Sequence, residues 1–447
     1  MLEVNRHPNI ELMTYTEIKE VSGFVGNFKL KVTKKPRYVD ANICNGCGAC
    51  WEVCPIDFPN DFNFGFSPRK AIAIPFPQAV PTVPNVDMDK CVRCFACVNA
   101  CEVTAINFSQ EPEELELDVG TIVACSGWDM FESTTGRYGY GKYENVINQI
   151  QLERLLSANG PTEGHLVRVS DNEHPKKVLM INCVGARSNL SEEHAFCSGV
   201  CCLVTIKNAK LVKGEYPDAE VLVSYRDIRT PGKDYEEYYQ RAREEGITFI
   251  KGNVGDIEED PITKNLICYL EDEGTGTSIE YEADLVVLSA TPYPSAGTTK
   301  IAEQLRLEKS PDGYLKEFHA RLNPIDSKVP GIYLAGFAQG PKAVDATVNQ
   351  AKGAASAAGI LMKAGKYDIE LIRAMSDSSK CTLCGLCMDI CPYIAISIQN
   401  EKIIVDEILC RGCGACSAIC RNNAMTLRYF RNETFEGVID GIFQIIK

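Results

Sequence analysis

The sequence predicts an α/β core that carries two smaller α+β segments, one inserted near its start and one following it. Apolar runs typical of buried strands alternate with helical patterns between residues 111 and 370, the order expected of an open α/β sheet packed in three layers. On either side of this region, cysteines recur in four copies of one spacing. With 447 residues, the chain is long enough for two or three domains.

Hydrophobic periodicity predicts the individual elements in chain order. Residues 9–33 alternate around Gly23 and Gly26, which indicates a hairpin, and residues 117–125 read as one buried strand. The stretch 146–158 has apolar residues at helical spacing. The other predicted strands are 177–182, 219–225, 247–250, 266–270, 279–282, 285–289 and 332–335, and the other predicted helices are 205–213, 235–245 and 343–361.

The cysteine spacing indicates iron–sulfur chemistry. Each copy reads C-x2-C-x2-C-x3-C, the run that holds a [4Fe–4S] cluster in bacterial ferredoxins. Thiolates suit iron, and three of them on one loop can cap one face of a cube. Four copies grouped as two pairs therefore predict an electron-carrying protein with two dicluster segments.

Within such a pair, the fourth cysteine of one run usually binds the cluster of the other run. Proline follows two of the runs as expected, whereas Glu102 and Arg421 replace it in the other two, which leaves the ligand count unchanged. Zinc, the alternative metal, would use two C-x2-C pairs placed farther apart. The predicted ligand sets are Cys44, Cys47, Cys50 and Cys101; Cys91, Cys94, Cys97 and Cys54; Cys381, Cys384, Cys387 and Cys420; and Cys410, Cys413, Cys416 and Cys391.

Composition excludes several other classes of protein. A net charge of −14 argues against a nucleic-acid partner. The spacing of the 22 cysteines indicates metal binding rather than disulfides, and clusters need a reducing compartment, so a cytoplasmic protein is expected. Neither a signal peptide nor a membrane span is expected, because no suitable apolar run occurs. The apolar stretch 435–447 is expected to be a helix docked on a partner or on the core.

A second kind of cysteine group lies inside the α/β region. Cys183 ends a predicted strand, and Cys201 and Cys202 begin a predicted helix shortly after Cys197. A helix start favours a negative cluster because its N–H groups and its dipole are positive there. The group is a candidate for a fifth [4Fe–4S] cluster, with buried structural thiols or a redox dithiol as alternatives. The cysteines left over, which lie on predicted strands and are expected to be small core residues, are Cys125 and Cys268.

A glycine turn at residues 335–340 comes between a predicted strand and a predicted helix. It places bare N–H groups at the helix N-terminus, and in flavin disulfide oxidoreductases such a turn faces the flavin end of FAD. The alternative is an ordinary strand–turn–helix connection. No complete G-x-G-x-x-G fingerprint for a dinucleotide follows a strand, and the strand that ends at Cys183 lacks the fingerprint for a nicotinamide cofactor.

Together these features closely resemble the A subunits of the heterodisulfide reductases of methanogenic archaea and their relatives, over essentially the whole chain. The order of hairpin, inserted ferredoxin, flavoprotein core and C-terminal ferredoxin matches that family. The most specific signature is C-x13-C-x3-C-C at a strand–helix position. The signatures are residues 4–10 (Val-Asn-Arg-His-Pro-Asn-Ile), 183–185 (Cys-Val-Gly), 197–202 and 335–342.

The resemblance implies a thioredoxin-reductase-like FAD/disulfide-oxidoreductase core and a fifth cluster held by Cys183, Cys197, Cys201 and Cys202. Lys207 matches a family lysine expected near the flavin ring, where a cation would stabilise a reduced, anionic flavin; its alternative is a solvated helix lysine. Lys207 is therefore the candidate catalytic residue. The FAD contacts that the resemblance implies are Gly127, Lys207, Gly336, Gln339, Gly340, Ala346 and Thr347, with Cys125 in place of the Thr of an A-T-G turn.

The usual member of the family has an N-terminal domain and a phosphate-binding glycine motif ahead of the hairpin, which this sequence lacks. Either the chain is a fragment or the gene is split, and Met1 at that point favours a natural split. The FAD site is then expected to be shared with a separate polypeptide. The other partners implied are the heterodisulfide-reducing B and C subunits, an electron-delivering subunit linked to hydrogenase or formate dehydrogenase, and ferredoxin, in a dimeric hetero-oligomer.

The activity implied is electron transfer in a soluble complex that reduces the heterodisulfide CoM-S-S-CoB. In flavin-based bifurcation, a pair of electrons divides at the flavin between ferredoxin and the heterodisulfide-reducing subunit. The alternatives are a polyferredoxin without flavin and an NAD(P)H-linked oxidoreductase similar to the glutamate synthase small subunit. The predicted domains are 1–36 (hairpin and remnant of the FAD domain), 37–110 (inserted ferredoxin), 111–370 (flavoprotein core with the fifth cluster), 371–431 (C-terminal ferredoxin) and 432–447 (docking tail).

Overall fold

An antiparallel hairpin lies near the start of the chain, as its alternating residues predict. A computed structural model describes residues 2–133, 136–190 and 193–445. The hairpin turn needs glycine, because a Cβ on Gly23, whose φ is +84°, would lie 2.1 Å from the carbonyl oxygen of Asn27. Pairing begins at Thr16, later than predicted. The elements are α1 (Leu2–Arg6), β1 (Thr16–Phe24) and β2 (Asn27–Lys34).

The inserted cysteine-rich segment has its own small apolar core. Val39, Ile72 and Val86 pack there with the inner cysteines of both runs. Two short helices and two antiparallel strand pairs surround this core, which confirms the α+β prediction. The elements are α2 (Ala49–Glu52), β3 (Asp57–Pro59), β4 (Pro68–Lys70), β5 (Ile72–Ala73), β6 (Asn85–Val86) and α3 (Ala96–Ala100).

The single strand predicted over 117–125 is wrong, because the chain forms two strands there. The first extends the hairpin sheet beside β2, and the second pairs in parallel with a strand more than 200 residues later. Gly120 and Thr121 separate the two. A continuous apolar pattern does not reveal such a change of partner. The elements are β7 (Glu113–Val119), β8 (Ile122–Ala124) and β9 (Trp128–Met130).

The helix predicted over 146–158 is wrong at its start, where Val146–Asn148 is a strand. The Asn148 side chain then accepts hydrogen bonds from the amides of Ile150 and Gln151 and begins the helix as part of a capping box. The elements of this region are β10 (Val146–Asn148), α4 (Gln149–Leu155), β11 (Lys177–Val184), α5 (Cys201–Glu215), β12 (Glu220–Tyr225), α6 (Tyr235–Glu244), β13 (Thr248–Lys251), β14 (Val254–Glu259), β15 (Leu266–Asp272), β16 (Thr277–Ala283) and β17 (Leu285–Ala290).

Five of these strands form a parallel sheet in the order β10-β17-β11-β12-β13, which confirms the α/β prediction. Successive residues of β11 face opposite sides. Val178 and Met180 pack against α4, α5 and α6, whereas Leu179 and Ile181 pack against the antiparallel sheet β14-β15-β16. The core therefore has three layers, and Cys183 lies near the carboxyl end of the central strand β11.

The C-terminal part of the chain packs against the hairpin. Phe28, Leu334 and Ile396 belong to one apolar core, which joins the hairpin, strand β8 with its parallel partner Ile332–Leu334, and the C-terminal cysteine-rich segment. The final helix leaves its described side chains exposed or half-exposed, so it does not pack on that core, and docking on a partner stays a prediction. The elements are β18 (Pro292–Pro294), α7 (Ala296–Leu305), β19 (Ile332–Leu334), α8 (Val344–Ala364), β20 (Ala374–Ser376), α9 (Leu386–Asp389), β21 (Ile396–Gln399), β22 (Lys402–Val405), α10 (Ala415–Ile419), β23 (Met425–Leu427) and α11 (Asn432–Ile445).

Among the helices of residues 2–133, 136–190 and 193–445, none is both long and apolar enough to cross a lipid bilayer.

Candidate iron–sulfur centres and flavin edge

Three small cavities are each lined by one complete predicted ligand set. In each cavity three cysteines come from one run and the fourth comes from the paired run, as the exchange rule predicts. Cluster binding stays a prediction. The lining cysteines are Cys44, Cys47, Cys50 and Cys101; Cys91, Cys94, Cys97 and Cys54; and Cys410, Cys413, Cys416 and Cys391.

The remaining predicted set is also gathered in space. Burial raises the pKa of the Cys387 thiol, and the nearby Cys381, Cys384 and Cys420 raise it further. The first two come from the same run and Cys420 from the paired run. The structure therefore brings together all four ligand sets that the spacing predicts.

Each ferredoxin run bends through two residues with positive φ, two and four positions after its first cysteine. In the first run, this bend lets the amide of Gly46 donate a hydrogen bond to the sulfur of Cys44 at 3.4 Å. Backbone donors of this kind stabilise a thiolate. The same contact, also at 3.4 Å, joins Arg93 to Cys91 and Leu383 to Cys381. The residues with positive φ are Gly46 and Gly48, Arg93 and Phe95, Leu383 and Gly385, and Gly412 and Gly414.

The cavities and their donors fit four-iron clusters. All 22 cysteines are free thiols. In a four-iron cube each thiolate binds a different iron, so its ligands line a space rather than converge on one atom. Within the described ranges, no three His, Cys, Asp or Glu side chains converge as the ligands of a single ion do.

The second kind of cysteine group comes together at the end of β11. Cys183, whose φ is +62°, and the loop residue Cys197 lie near Cys202 at the start of α5, beside Cys201. Burial raises the pKa of Cys201 to about 12 and that of Cys202 to about 11, and neighbouring thiols of the group add to both shifts. A reactive dithiol needs a lowered thiol pKa, so these shifts argue against the redox alternative.

Cys197 has part of the local geometry of a ferredoxin run. Two residues later, Gly199 has a φ of +68°, and its amide donates a hydrogen bond to the sulfur of Cys197 at 3.4 Å. The Ser198 hydroxyl lies 2.7 Å from the sulfur of Cys201. The loop before α5 therefore shares the first bend and the N–H···S contact of a ferredoxin run, but not the second bend, because Cys201, four residues after Cys197, does not have a positive φ.

Polar atoms around this cysteine group are buried without partners among the described residues. They are Oε1 of Gln149, Nη1 of Arg187 and Oγ1 of Thr291. Nε2 of Gln149 donates a hydrogen bond to the carbonyl oxygen of Ala290 at 3.0 Å. The sulfur of Cys201 lies 4.0 Å from the same carbonyl oxygen, which links Gln149 to the group. Two of these side chains face sulfurs of the group, Arg187 that of Cys183 and Thr291 that of Cys201, so they suit a site built around thiolates.

The two cysteines outside these groups behave differently. Cys268 is fully buried on β15, which confirms its assignment to the core. The same expectation for Cys125 is wrong, because β8 ends at Ala124 and leaves Cys125 exposed after the strand.

The glycine turns expected at the flavin lie side by side. Strands β8 and β19 are parallel neighbours, so the turns that follow them share one edge. Gly127 has a φ of +74° and Gly336 a φ of +67°. The rings of Trp128 and Phe337 lie 5.5 Å apart between the two turns. A Cβ on Gly127 or Gly340 would meet no atom within 4 Å, so the edge is open beside both turns.

Hydrogen bonds from neighbouring side chains stabilise the second glycine turn, at residues 336–340. The amide of Gly336 donates to Oε1 of Gln350 at 2.9 Å. Nζ of Lys342 donates to the carbonyl oxygens of Gly336, at 2.6 Å, and of Gly340. Burial lowers the pKa of Lys342 to about 8. Sequence reasoning missed this support, and the place of Lys342 in the family signature was the only signal for it.

The other four residues expected at the flavin contact protein groups or solvent in the structure. Lys207 forms an ion pair with Glu153 of α4 at 2.7 Å, and no hydrogen bond joins it to the glycine turns in the described chain. Thr347 bonds its hydroxyl to the carbonyl oxygen of Ala343 at 3.0 Å, and Ala346 is exposed at the start of α8. Gln339 donates to Glu317 at 3.0 Å. The flavin contacts of all four residues stay predictions.

The geometry defines an iron–sulfur protein with an α/β core, and the comparisons agree. The 4Fe–4S dicluster domain family matches residues 43–106 and 373–421. The chain is 50% identical over 450 residues to the iron–sulfur A subunit of the CoB–CoM heterodisulfide reductase of Methanocaldococcus jannaschii, covering 99% of this chain and 68% of the relative. It is 46% identical over 442 residues to the A subunit of the H₂:CoB–CoM heterodisulfide,ferredoxin reductase of Methanothermobacter thermautotrophicus, covering 98% and 67%. The chain belongs to the family of heterodisulfide reductase A subunits and is an oxidoreductase subunit, which confirms the resemblance.

Solved thioredoxin reductases also align with the chain. The enzyme of T. acidophilum has a TM-score of 0.37 at 16% identity, covering 57% of this chain and 69% of its own. That of Lactococcus lactis has a TM-score of 0.36 at 14% identity, covering 66% and 86%. At this level of likeness neither structure bears on the function.

Proposed function

We propose that this chain is the iron–sulfur flavoprotein subunit of a heterodisulfide reductase complex, with five [4Fe–4S] clusters that lead to a shared FAD. The observation that carries the proposal is the fifth cysteine group, whose loop has the first bend and the N–H···S contact of a ferredoxin run. When bound, the clusters would carry single electrons and the flavin would exchange pairs, the combination that bifurcation between the heterodisulfide and ferredoxin requires.

This chain's own residues hold and shield those groups. The inner cysteines of each set are buried, which keeps water from part of each cluster, while one cysteine of each ferredoxin run is exposed and offers a side for electron entry. No cysteine of the fifth group is exposed, so the fifth group lies deeper than the ferredoxin sites. The arrangement supports surface clusters that exchange electrons with partners and an inner cluster that serves the core.

We propose a composite FAD site. In it this chain supplies the open edge at Gly127 and Gly336, with Lys207 near the flavin ring, and a separate polypeptide supplies the AMP and pyrophosphate half. The names of relatives support the further partners. One from Methanococcus maripaludis, 46% identical, is the A subunit of an H₂/formate:CoB–CoM heterodisulfide,ferredoxin reductase. We accordingly propose the heterodisulfide-reducing B and C subunits, a hydrogenase- or formate-dehydrogenase-linked donor and ferredoxin as partners.

Replacing Cys202 by alanine tests the fifth cluster in the purified complex. We expect iron to fall by about four atoms per chain, because one ligand of a buried four-iron site is lost, while the ferredoxin clusters keep their electron paramagnetic resonance signals. The control is Cys268→Ala, which removes a buried thiol outside every cysteine group. Unchanged iron in Cys202→Ala would mean that these cysteines are structural thiols. A wild-type complex without FAD would favour the polyferredoxin alternative.

Replacing Lys342 by methionine tests the flavin edge. The methionine keeps the buried aliphatic stem but loses both hydrogen bonds to the glycine turn, so we expect the complex to retain several-fold less FAD after gel filtration. Iron content should stay the same. Lys352→Met, at an exposed position of helix α8, is the matched control and should keep its flavin. Full FAD content in Lys342→Met would show that this turn does not bind the cofactor.

A further inference from the structure

An ion pair borders the fifth cysteine group on one side. Nη2 of Arg187 lies 2.7 Å from Oδ2 of Asp227, and the two side chains are 22% and 48% exposed. Arg187 follows Cys183 by four residues, and the carbonyl oxygen of Asp227 accepts a hydrogen bond from the sulfur of Cys202 at 3.6 Å. Arg187 and Asp227 therefore both lie beside ligands of the proposed cluster.

The guanidinium of Arg187 is fixed by its ion pair with Asp227 but keeps one nitrogen without a hydrogen bond in the described chain. Its Nη1 is buried and has no partner among the described residues. The backbone is fixed as well, because Arg226 donates from Nη1 to the carbonyl oxygen of Arg187 at 2.6 Å and from Nε to Asn253 at 2.9 Å. The Arg187 side chain also lies close enough to the Cys183 sulfur to interact with it. The cation thus acts on the site where Cys183 would bind iron.

We propose that Arg187 is a positioning residue that raises the reduction potential of the fifth cluster, with Asp227 holding the guanidinium and moderating its charge. Reduction adds one electron to a cluster and makes it more negative, so a fixed cation and an available N–H group beside a ligand favour the reduced form. The inference rests on the proposed fifth cluster. It assigns to Arg187 a role in electron transfer without contact to any substrate.

Redox titration of the purified complex, followed by electron paramagnetic resonance, tests this role. In Arg187→Met the charge and the donors are lost, so we expect the midpoint potential of the fifth cluster to shift to a more negative value. Arg187→Lys keeps the charge and should shift it less. Asp227→Asn removes the opposing charge and should shift it the other way. The four ferredoxin clusters should titrate as in the wild type.

The matched control is Arg229→Met. The Arg229 side chain is 50% exposed and reaches the same Asp227 carboxylate only at 3.9 Å, so its loss should shift the potential less than the loss of Arg187 does. An unchanged or more positive potential in Arg187→Met, or an equal shift in Arg229→Met, would overturn the inference. If Arg187→Met fails to assemble, opposite shifts in Arg187→Lys and Asp227→Asn still support it, and shifts of one sign contradict it. Iron counting separates the two proposals, since a wild type without the fifth cluster refutes the proposed function itself.

Discussion

Double replacement of Cys47 and Cys101 is expected to remove one cluster, whereas double replacement of Cys94 and Cys101 is expected to remove two. The structure places Cys47 and Cys101 at one cavity and Cys94 at the other, although Cys94 and Cys101 belong to the same run. Each alanine removes a thiolate that its cluster needs, so the first variant should lose about four irons per chain and the second about eight.

Iron and sulfide analysis of the purified complex measures this difference directly. Cys54→Ala combined with Cys94→Ala provides the reciprocal case, because both line the second cavity and should cost one cluster together. Cys125→Ala is the control, since that thiol is exposed and lines none of the three cavities. If the losses follow the runs instead of the cavities, the fourth cysteines are not exchanged and the predicted ligand sets are wrong.

Replacing Gly412 by alanine is expected to destabilise the C-terminal ferredoxin segment and to empty the cluster site that Cys410 and Cys413 line. A Cβ there would lie 2.2 Å from the carbonyl oxygen of Ile372, and the φ of +63° is strained for alanine. Because the obstacle is backbone, the loop itself has to move. We expect a cost of roughly 3 kcal/mol and the loss of about four irons.

Gly385→Ala separates the effect of backbone strain from the effect of the contact with Ile372. Its φ is +80°, so it bears a comparable backbone strain of about 1–2 kcal/mol. A Cβ at that position would meet no atom within 4 Å, so no loop movement is required. Thermal unfolding and iron content of both variants provide the comparison. Equal losses in the two would show that the contact with Ile372 does not control the site.

Much of the metal chemistry was predictable because it is local. Three ligands of each ferredoxin cluster lie within seven residues, so the loop alone brings them together, and the exchange of the fourth follows from pairing two such loops. The fifth group was harder to predict. Cys183 and Cys197 come from different segments, and spacing left a redox dithiol open until the burial of Cys201 and Cys202 argued against it.

The errors in the fold have a related cause. The strand over 117–125 divides at Gly120 because its two halves find different partners, and Val146–Asn148 extends because it pairs with β17. Cys125 was assigned to the core from its place in an apolar run, yet the strand ends one residue before it. In each case the local pattern allowed two outcomes, and a distant segment selected one.

From its sequence alone, this protein can be recognised as an iron–sulfur member of its family with an α/β core. Ligand spacing and strand periodicity are properties of short stretches, so they can be read from the sequence without knowledge of the fold. Tertiary structure alone placed the Arg187–Asp227 pair beside the fifth cysteine group and set the two glycine turns at one edge. Burial and charge at those sites depend on residues far apart in the chain, and only folding brings those residues into contact.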